Sequence, residues 1–564
     1  MKLAENLPTP ELRSPDVVMK LDRLGSFHQT RLSFMRALLR YLKQEQWEFA
    51  RPVWQVDEQG VGHAIYTARN QKHVYSLVCF AHDLPPEKRS DRVIAEEWDA
   101  TFALYDGEPN ADEIERLRQN VPKQEAGFCQ QTELVLARAN RSVRLFEHVV
   151  ERLSHGEQPD QDMIDSVGYL MRTSAVYGNG KFGLGDRERI AHRPEFRASF
   201  RPELLAVWLI RTFTTDITEH MARVANPEQA VRMDMNLKRR LGVGNSTGLG
   251  MAPFLILHPA LIHSWILARE TALARVCALE AASDTTSDHF KKLVKQMIIG
   301  VDSWNTVDEI QQQRIIELRK DLDTLIHYLD QLDEHYWQQS YPWQTLVDWS
   351  SNHLTLEGQE LVNSLVIEPH GKWVDDLADT MGIDEAQYFP IKGKQGLKAL
   401  KSDIESHYQW ALEPDYESLS ECARFWYVSE EKLEPRLGER FEEPGAEKEQ
   451  PLAFGRDIAY LYHTLSNAPE HQTTAEFLLA HPEHRHAVRR VQIVAQLPFA
   501  EVRDNLISET MRPIDLLRCK LSFFGANKFD PRSDRWVRIT MYQHAPFPEE
   551  FYEFDIEDWV YPPL

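Results

Sequence analysis

Between about Gln161 and Gln339 the apolar residues recur almost without interruption at intervals of three and four. That spacing lines one side of an α-helix and cannot line one face of a strand. In Pro202–Val224 the stripe is Leu205, Leu209, Phe213, Ile217, Met221 and Val224. In the next clear case Ile315, Leu318, Leu322, Leu325, Leu329, Leu332 and Tyr336 alternate three and four apart over three heptads. Such a stripe is either a long helix packed within its own chain or a coiled-coil seam joining two copies, so a homo-oligomer is one of its two readings.

The flanking regions read differently. Phe27–Leu42 is amphipathic at helical period, and three strand-like runs follow: Phe49–Val56, Val61–Thr67 and Val74–Phe80. Their short polar connections favour an antiparallel meander, which Ala100–Tyr105 could join. Helices are expected at Ala111–Asn120 and Glu133–Leu153, and Ser154–Pro159 has the composition of a linker. From Tyr341 the pattern is mixed. Helices dominate to Leu412, and Arg424–Val428 resembles a strand. A Pro/Glu/Lys-rich loop covers Glu442–Pro451, with helices at Gly455–Leu465 and Thr474–Leu497 beyond it. Lys520–Phe524 and Trp536–Tyr542 read as a closing hairpin around a polar turn that includes Asn527, Lys528 and Arg532. A chain of 564 residues holds roughly two to four domains. The expected fold is an α-rich α+β chain, with a central all-helical unit flanked by N-terminal and C-terminal units carrying small antiparallel sheets. Its parts are an arm over 1–25, an α+β unit over 26–157, a helical unit over 158–340 and a mixed unit over 341–564.

Composition narrows the partners. With 64 Lys and Arg against 87 Asp and Glu, the net charge is −23, which repels phosphate backbones and anionic lipid at long range. Nucleic acid and membrane are therefore not expected partners. The N-terminus has no apolar core of a signal peptide, and Pro253–Ala268 is too short and too polar to span a bilayer. The five cysteines are widely spaced, without a CxxC, as suits free thiols in a reducing compartment. A cytoplasmic location is expected.

Two glycine-rich segments carry the candidate chemistry. Tyr177–Arg187 contains GxGxxG, but helical periodicity precedes it where a dinucleotide fold needs a strand. Leu241–Gly250 reads as a loop leading into Pro253 and a long apolar helix. Glycines there would admit a ligand close to the backbone, and unpaired amides at the helix start would suit an anion. The stretches Arg172–Arg201 and Arg223–Arg240 carry +7 between them, and both adjoin the glycine segments. These features lead to an expected enzyme acting on a small anionic molecule, a carboxylate or phosphate ester. Lys181 and Arg187 would hold the anion, and Gly244, Asn245, Ser246, Thr247 and Gly248 would line the pocket. His258 or His263, on an otherwise apolar helix, would move a proton. Reaction class and cofactor are not encoded in these patterns. The other readings are a scaffold assembled through the heptad helix and a metabolite sensor. His481, His484 and His486 cluster without cysteine companions, and HEXXH is absent, so no metal is expected.

Overall fold

The computed structural model describes residues 11–26, 28–85, 87, 97–122, 130–175, 190, 192–198, 200–247, 259–304, 309–333, 335–382, 390–413, 415, 454–501, 518, 522–525, 528–531, 537–553, 559–562 and 564. The fold is mixed α+β, organised on one sheet of nine strands. The strands are β1 (Glu48–Val56), β2 (Gly62–Arg69), β3 (Val74–Ala81), β4 (Ala100–Asp106), β5 (Glu133–Arg141), β6 (Tyr169–Thr173), β7 (Gly242–Thr247), β8 (Lys528–Pro531) and β9 (Val537–Met541). Their spatial order is β1-β2-β3-β4-β5-β6-β7-β9-β8. Neighbours pair antiparallel except β6 and β7, which run parallel.

The expected meander is present in β1 to β4, where strand residues alternate between two covered faces. Ala64, Tyr66, Leu77, Cys79, Phe102 and Leu104 join the main core. Ile65, Val78, Phe80, Ala103 and Tyr105 join a smaller cluster with Leu117 and Val121 on the opposite face. That is the period of two that a pleated strand imposes.

Three sequence readings are overturned here. Glu133–Leu153 is not one helix, since Glu133–Arg141 is strand β5 and only Phe146–Ser154 is helical. The region between 158 and 340 is not all helical: it supplies β6 and β7 to the sheet. The small flanking sheets are one sheet, because β9 of the C-terminal hairpin pairs with β7. The hairpin also differs in detail, since Ser522–Phe524 is helical and β8 begins only at Lys528.

The helices used below are α1 (Phe34–Gln44), α2 (Arg201–Ala225), α3 (Pro259–Cys277), α4 (Asp284–Asp302), α5 (Glu309–Asp330), α6 (Leu356–Ile367), α7 (Leu397–His407), α8 (Phe454–Asn467) and α9 (Arg485–Val494). Helix α2 packs across the sheet, and a buried arginine shows why the C-terminal hairpin closes there. Arg211 donates to the carbonyls of Leu241 (2.6 Å), Ala545 (2.7 Å) and Arg239 (3.2 Å), and lies over the Phe547 ring. Trp208 Nε1 donates to Pro546 O (2.9 Å) and Tyr542 to Leu204 O (3.0 Å). A buried guanidinium is costly unless its donors are satisfied, so these carbonyls hold the segments flanking β7 and β9 against one helix.

In α5 the heptad residues Ile315, Leu318, Leu322, Leu325 and Leu329 are buried in the main core of their own chain. The helix ends at Asp330, and Tyr336 begins a separate short 3₁₀ turn. A second hydrophobic cluster gathers Leu400, Ile404 and Tyr408 with Ile458 and Leu461 of α8 and Val488 and Val491 of α9. Within it Tyr408 and Arg490 both donate to Glu501 (2.9 and 2.6 Å). Among the described residues no helix is long and apolar enough to cross a membrane.

Candidate functional site

The residues expected to form a pocket are placed as follows. Lys181, Arg187, Gly248 and His258 lie outside the described residues, as does the first glycine segment. Gly244, Asn245, Ser246 and Thr247 belong to strand β7, not to a loop, and pair with Thr540, Ile539, Arg538 and Val537 of β9. A Cβ at Gly244 would lie 2.7 Å from Cγ of Tyr169, so this glycine admits a ring from β6 flat against the backbone. Asn245 is buried and its Nδ2 donates to Thr173 O (3.4 Å), bridging β7 to β6.

His263 is engaged elsewhere. Its Nδ1 accepts the backbone N–H of Phe499 (3.1 Å), and the two rings stack with centroids 5.8 Å apart. Burial lowers its pKa to about 4, so the imidazole is neutral at ordinary pH. The basic stretches are also largely committed to acids. Arg193 pairs with Asp106, Arg201 with Asp379, Lys238 with Glu219, Arg239 with Glu550 and Arg240 with Asp165. In the histidine cluster, His484 is buried, stacks on Phe477 and bonds Thr464 Oγ1 (3.1 Å). Among the described residues no group of histidine, cysteine and carboxylate is arranged to hold a metal.

A dense buried polar constellation lies at the start of α1. Ser26, His28, Gln29, Thr30, Arg31, Ser33 and Arg36 are all buried, a run of polarity at a place where the main core is otherwise apolar. The helix expected from Phe27 begins only at Phe34, because residues 30–33 form a turn closed by Ser33 N–H to Thr30 O (3.0 Å). Ser26 N–H is held by Ser522 Oγ (2.9 Å), and Phe523 packs on Phe34, Phe200 and Trp265.

Two carboxylates organise the charges. Arg36 grips Glu368 in a bidentate pair (2.6 and 2.7 Å), and Arg31 grips Asp375 likewise (both 2.7 Å). Burial opposes ionisation of Glu368, yet Arg36 and then Arg31 hold its pKa below the ordinary value. The Tyr561 oxygen lies 3.0 Å from His28 Nε2, and burial, with the nearby charge of Glu368, raises the pKa of its phenol. Burial, with a smaller contribution from Arg36, lowers the pKa of His28 to about 4 against the pull of Glu368.

A neighbouring network pins the N-terminal segment. Arg13 bonds both Glu270 of α3 (2.7 and 2.8 Å) and Glu360 of α6 (2.8 Å), and Arg23 adds a contact to Glu360 (3.1 Å). Burial alone would raise the pKa of Glu360, but Arg13 and Arg269 bring it to about 2.

No family model matches the chain, and no curated protein or solved structure matches it either. The geometry therefore carries the functional argument by itself. The periodicity of the following helix hid this constellation in the sequence. The signal was the polar run Ser26, His28, Gln29, Thr30 and Arg31, ending in Ser33, an N-cap residue type directly before Phe34.

Proposed function

We propose that this chain is an enzyme acting on a small molecule with an anionic group, seated beside the Ser26–Arg36 segment, with His28 taking up or giving the proton. The observations that support this reading are the buried Arg36–Glu368 pair and the 3.0 Å approach of the Tyr561 oxygen to His28 Nε2. The guanidinium keeps the carboxylate ionised, and a phenol turned toward that charge would accept from His28 Nε2–H, which would put the basic lone pair on Nδ1. A histidine held in one tautomer by a hydrogen-bonded partner is the usual arrangement of a general base. An anion bound alongside would favour the imidazolium and raise the pKa of His28 from about 4 toward the working range.

The test is native mass spectrometry of the gently purified protein, with identification of any small molecule released on denaturation. The expected result is one retained or captured anionic molecule, turned over by the wild type but not by His28→Gln. A protein that carries nothing, and that a panel of organic acids and phosphate esters leaves thermally unshifted, would end the reading.

A further inference from the structure

We infer that the buried N-terminus of α1 is the binding site for an oxyanion, a phosphate or carboxylate group on a small molecule. The inference rests on the functional reading above and gives it a location. Helix α1 spans eleven residues, and its N-cap, Ser33, has the extended backbone of a capping residue (φ −67°, ψ 146°) but a side chain that makes no capping bond. The first amides of a helix have no intrahelical acceptor, and they mark the positive end of its dipole. Here that end is enclosed by protein, since Ser33 is fully buried.

A second observation is independent of the helix. Gln29 Oε1, Thr30 Oγ1 and Ser33 Oγ are buried polar atoms with no hydrogen-bond partner, and each belongs to a residue at most 3% exposed. Buried polar groups are nearly always paired, so three orphans within five residues call for an occupant. Two of them lie close together, both packed against Gly525. A Cβ placed on Gly525 would lie 2.6 Å from Ser33 Oγ and 3.0 Å from Gln29 Oε1, and Gly525 adopts φ +93°, where a side chain is disfavoured. Glycine at 525 lets the backbone approach both oxygens closely.

The chemistry of the donors selects the ligand. Two hydroxyls can donate, the helix start donates, and the Gln29 amide can present nitrogen by turning about its last bond. A phosphate or carboxylate offers several acceptor oxygens to such a set and suits the positive helix end. The adjacent acids do not compete with it, because Glu368 is held by Arg36 and Asp375 by Arg31.

The experiment measures binding of inorganic phosphate and of malonate by calorimetry and thermal shift, to wild type, Ser33→Ala, Thr30→Val, Gln29→Leu and His28→Gln. The expected result is binding of at least one probe to wild type and to His28→Gln, with affinity at least tenfold weaker in Ser33→Ala. Ligand-free Ser33→Ala should keep the wild-type Tm, because the hydroxyl it loses caps nothing. If Ser33→Ala does not fold, Thr30→Val and Gln29→Leu carry the same comparison. Preference for phosphate or for malonate would identify the charged group. Equal binding by all variants would overturn this site while leaving an anion-binding protein. Failure of both probes to bind wild type would overturn the site and the functional reading together. A lowered Tm in ligand-free Ser33→Ala would make the hydroxyl a structural cap and also overturn the site.

Discussion

Glu368 shows what one residue does at the seam. Its carboxylate satisfies Arg36, and its own backbone carbonyl accepts from Arg31 (3.0 Å). Replacing it with glutamine removes the charge and takes the carboxylate from a buried guanidinium. Loss of one partner from a buried pair costs about 3–5 kcal/mol, so Glu368→Gln should lower the urea midpoint substantially. A change below about 1 kcal/mol would show that the pair is not enclosed as described. Gly244 makes a different residue-scale point. Gly244→Ala would drive a methyl group into the Tyr169 ring, and overpacking of this kind costs about 1–3 kcal/mol. Combining it with Tyr169→Leu should cost less than the sum of the single changes, and strict additivity would place the strain elsewhere.

At the scale of elements, α5 decides between the two readings of the heptad pattern at the level of packing. Its seam lies inside the main core, with Leu322 2% exposed, whereas Ile316 on the other side of the helix is 43% exposed. Leu322→Ala should therefore destabilise the fold by about 2–5 kcal/mol. Ile316→Lys should change stability by less than about 0.5 kcal/mol. Urea unfolding with size-exclusion chromatography checks both, and dissociation of an oligomer by Leu322→Ala without loss of stability would contradict this packing. The start of α1 was misplaced by seven residues for a reason of the same scale. Phe27 and Leu32 stand at seven and three residues from Phe34 and Met35, as on a helix, and the turn at Thr30 interrupts the helix through one backbone bond that periodicity does not register.

At the scale of the whole molecule, four histidines set an acid limit, His28 and His370 buried and His263 and His544 half-buried. Burial lowers His28, His263, His370 and His544 to about 4, below the unperturbed value of 6.5. The unfolded chain binds their protons first, so stability rises with pH through this window. The contribution is complete above about pH 6.5 and is lost progressively toward pH 4. Urea midpoints measured from pH 7.5 to pH 4.5 should fall steadily. His263→Gln should shallow that fall, because glutamine can still accept the Phe499 N–H without titrating. An unchanged slope would mean that His263 is not desolvated in the folded chain. This histidine joins α3 to the segment just beyond α9, so part of the acid loss should fall at the contact between the two large hydrophobic clusters.

The sequence by itself determined the helix-rich character of the chain, the β1–β4 meander, helix α2 and the stripe along α5. In each of these, apolar period and local turn chemistry agree over many residues, so neighbours along the chain suffice. Tertiary structure decided the rest. Gly242–Thr247 has too few large side chains to announce a strand, and it is one because Tyr169 lies against Gly244 and β9 pairs along it. The parts that look like separate small sheets form one sheet because Arg211 draws distant carbonyls onto α2. The candidate site followed the same rule. Gly244 and Asn245 drew attention through local composition and proved to lie within paired strand. His28, Gln29, Ser33, Glu368, Gly525 and Tyr561 come from four distant stretches, and pattern reading sees only neighbours in sequence. Burial is what gives those residues chemistry, by removing the water that would otherwise satisfy them, and burial is a property of the folded chain.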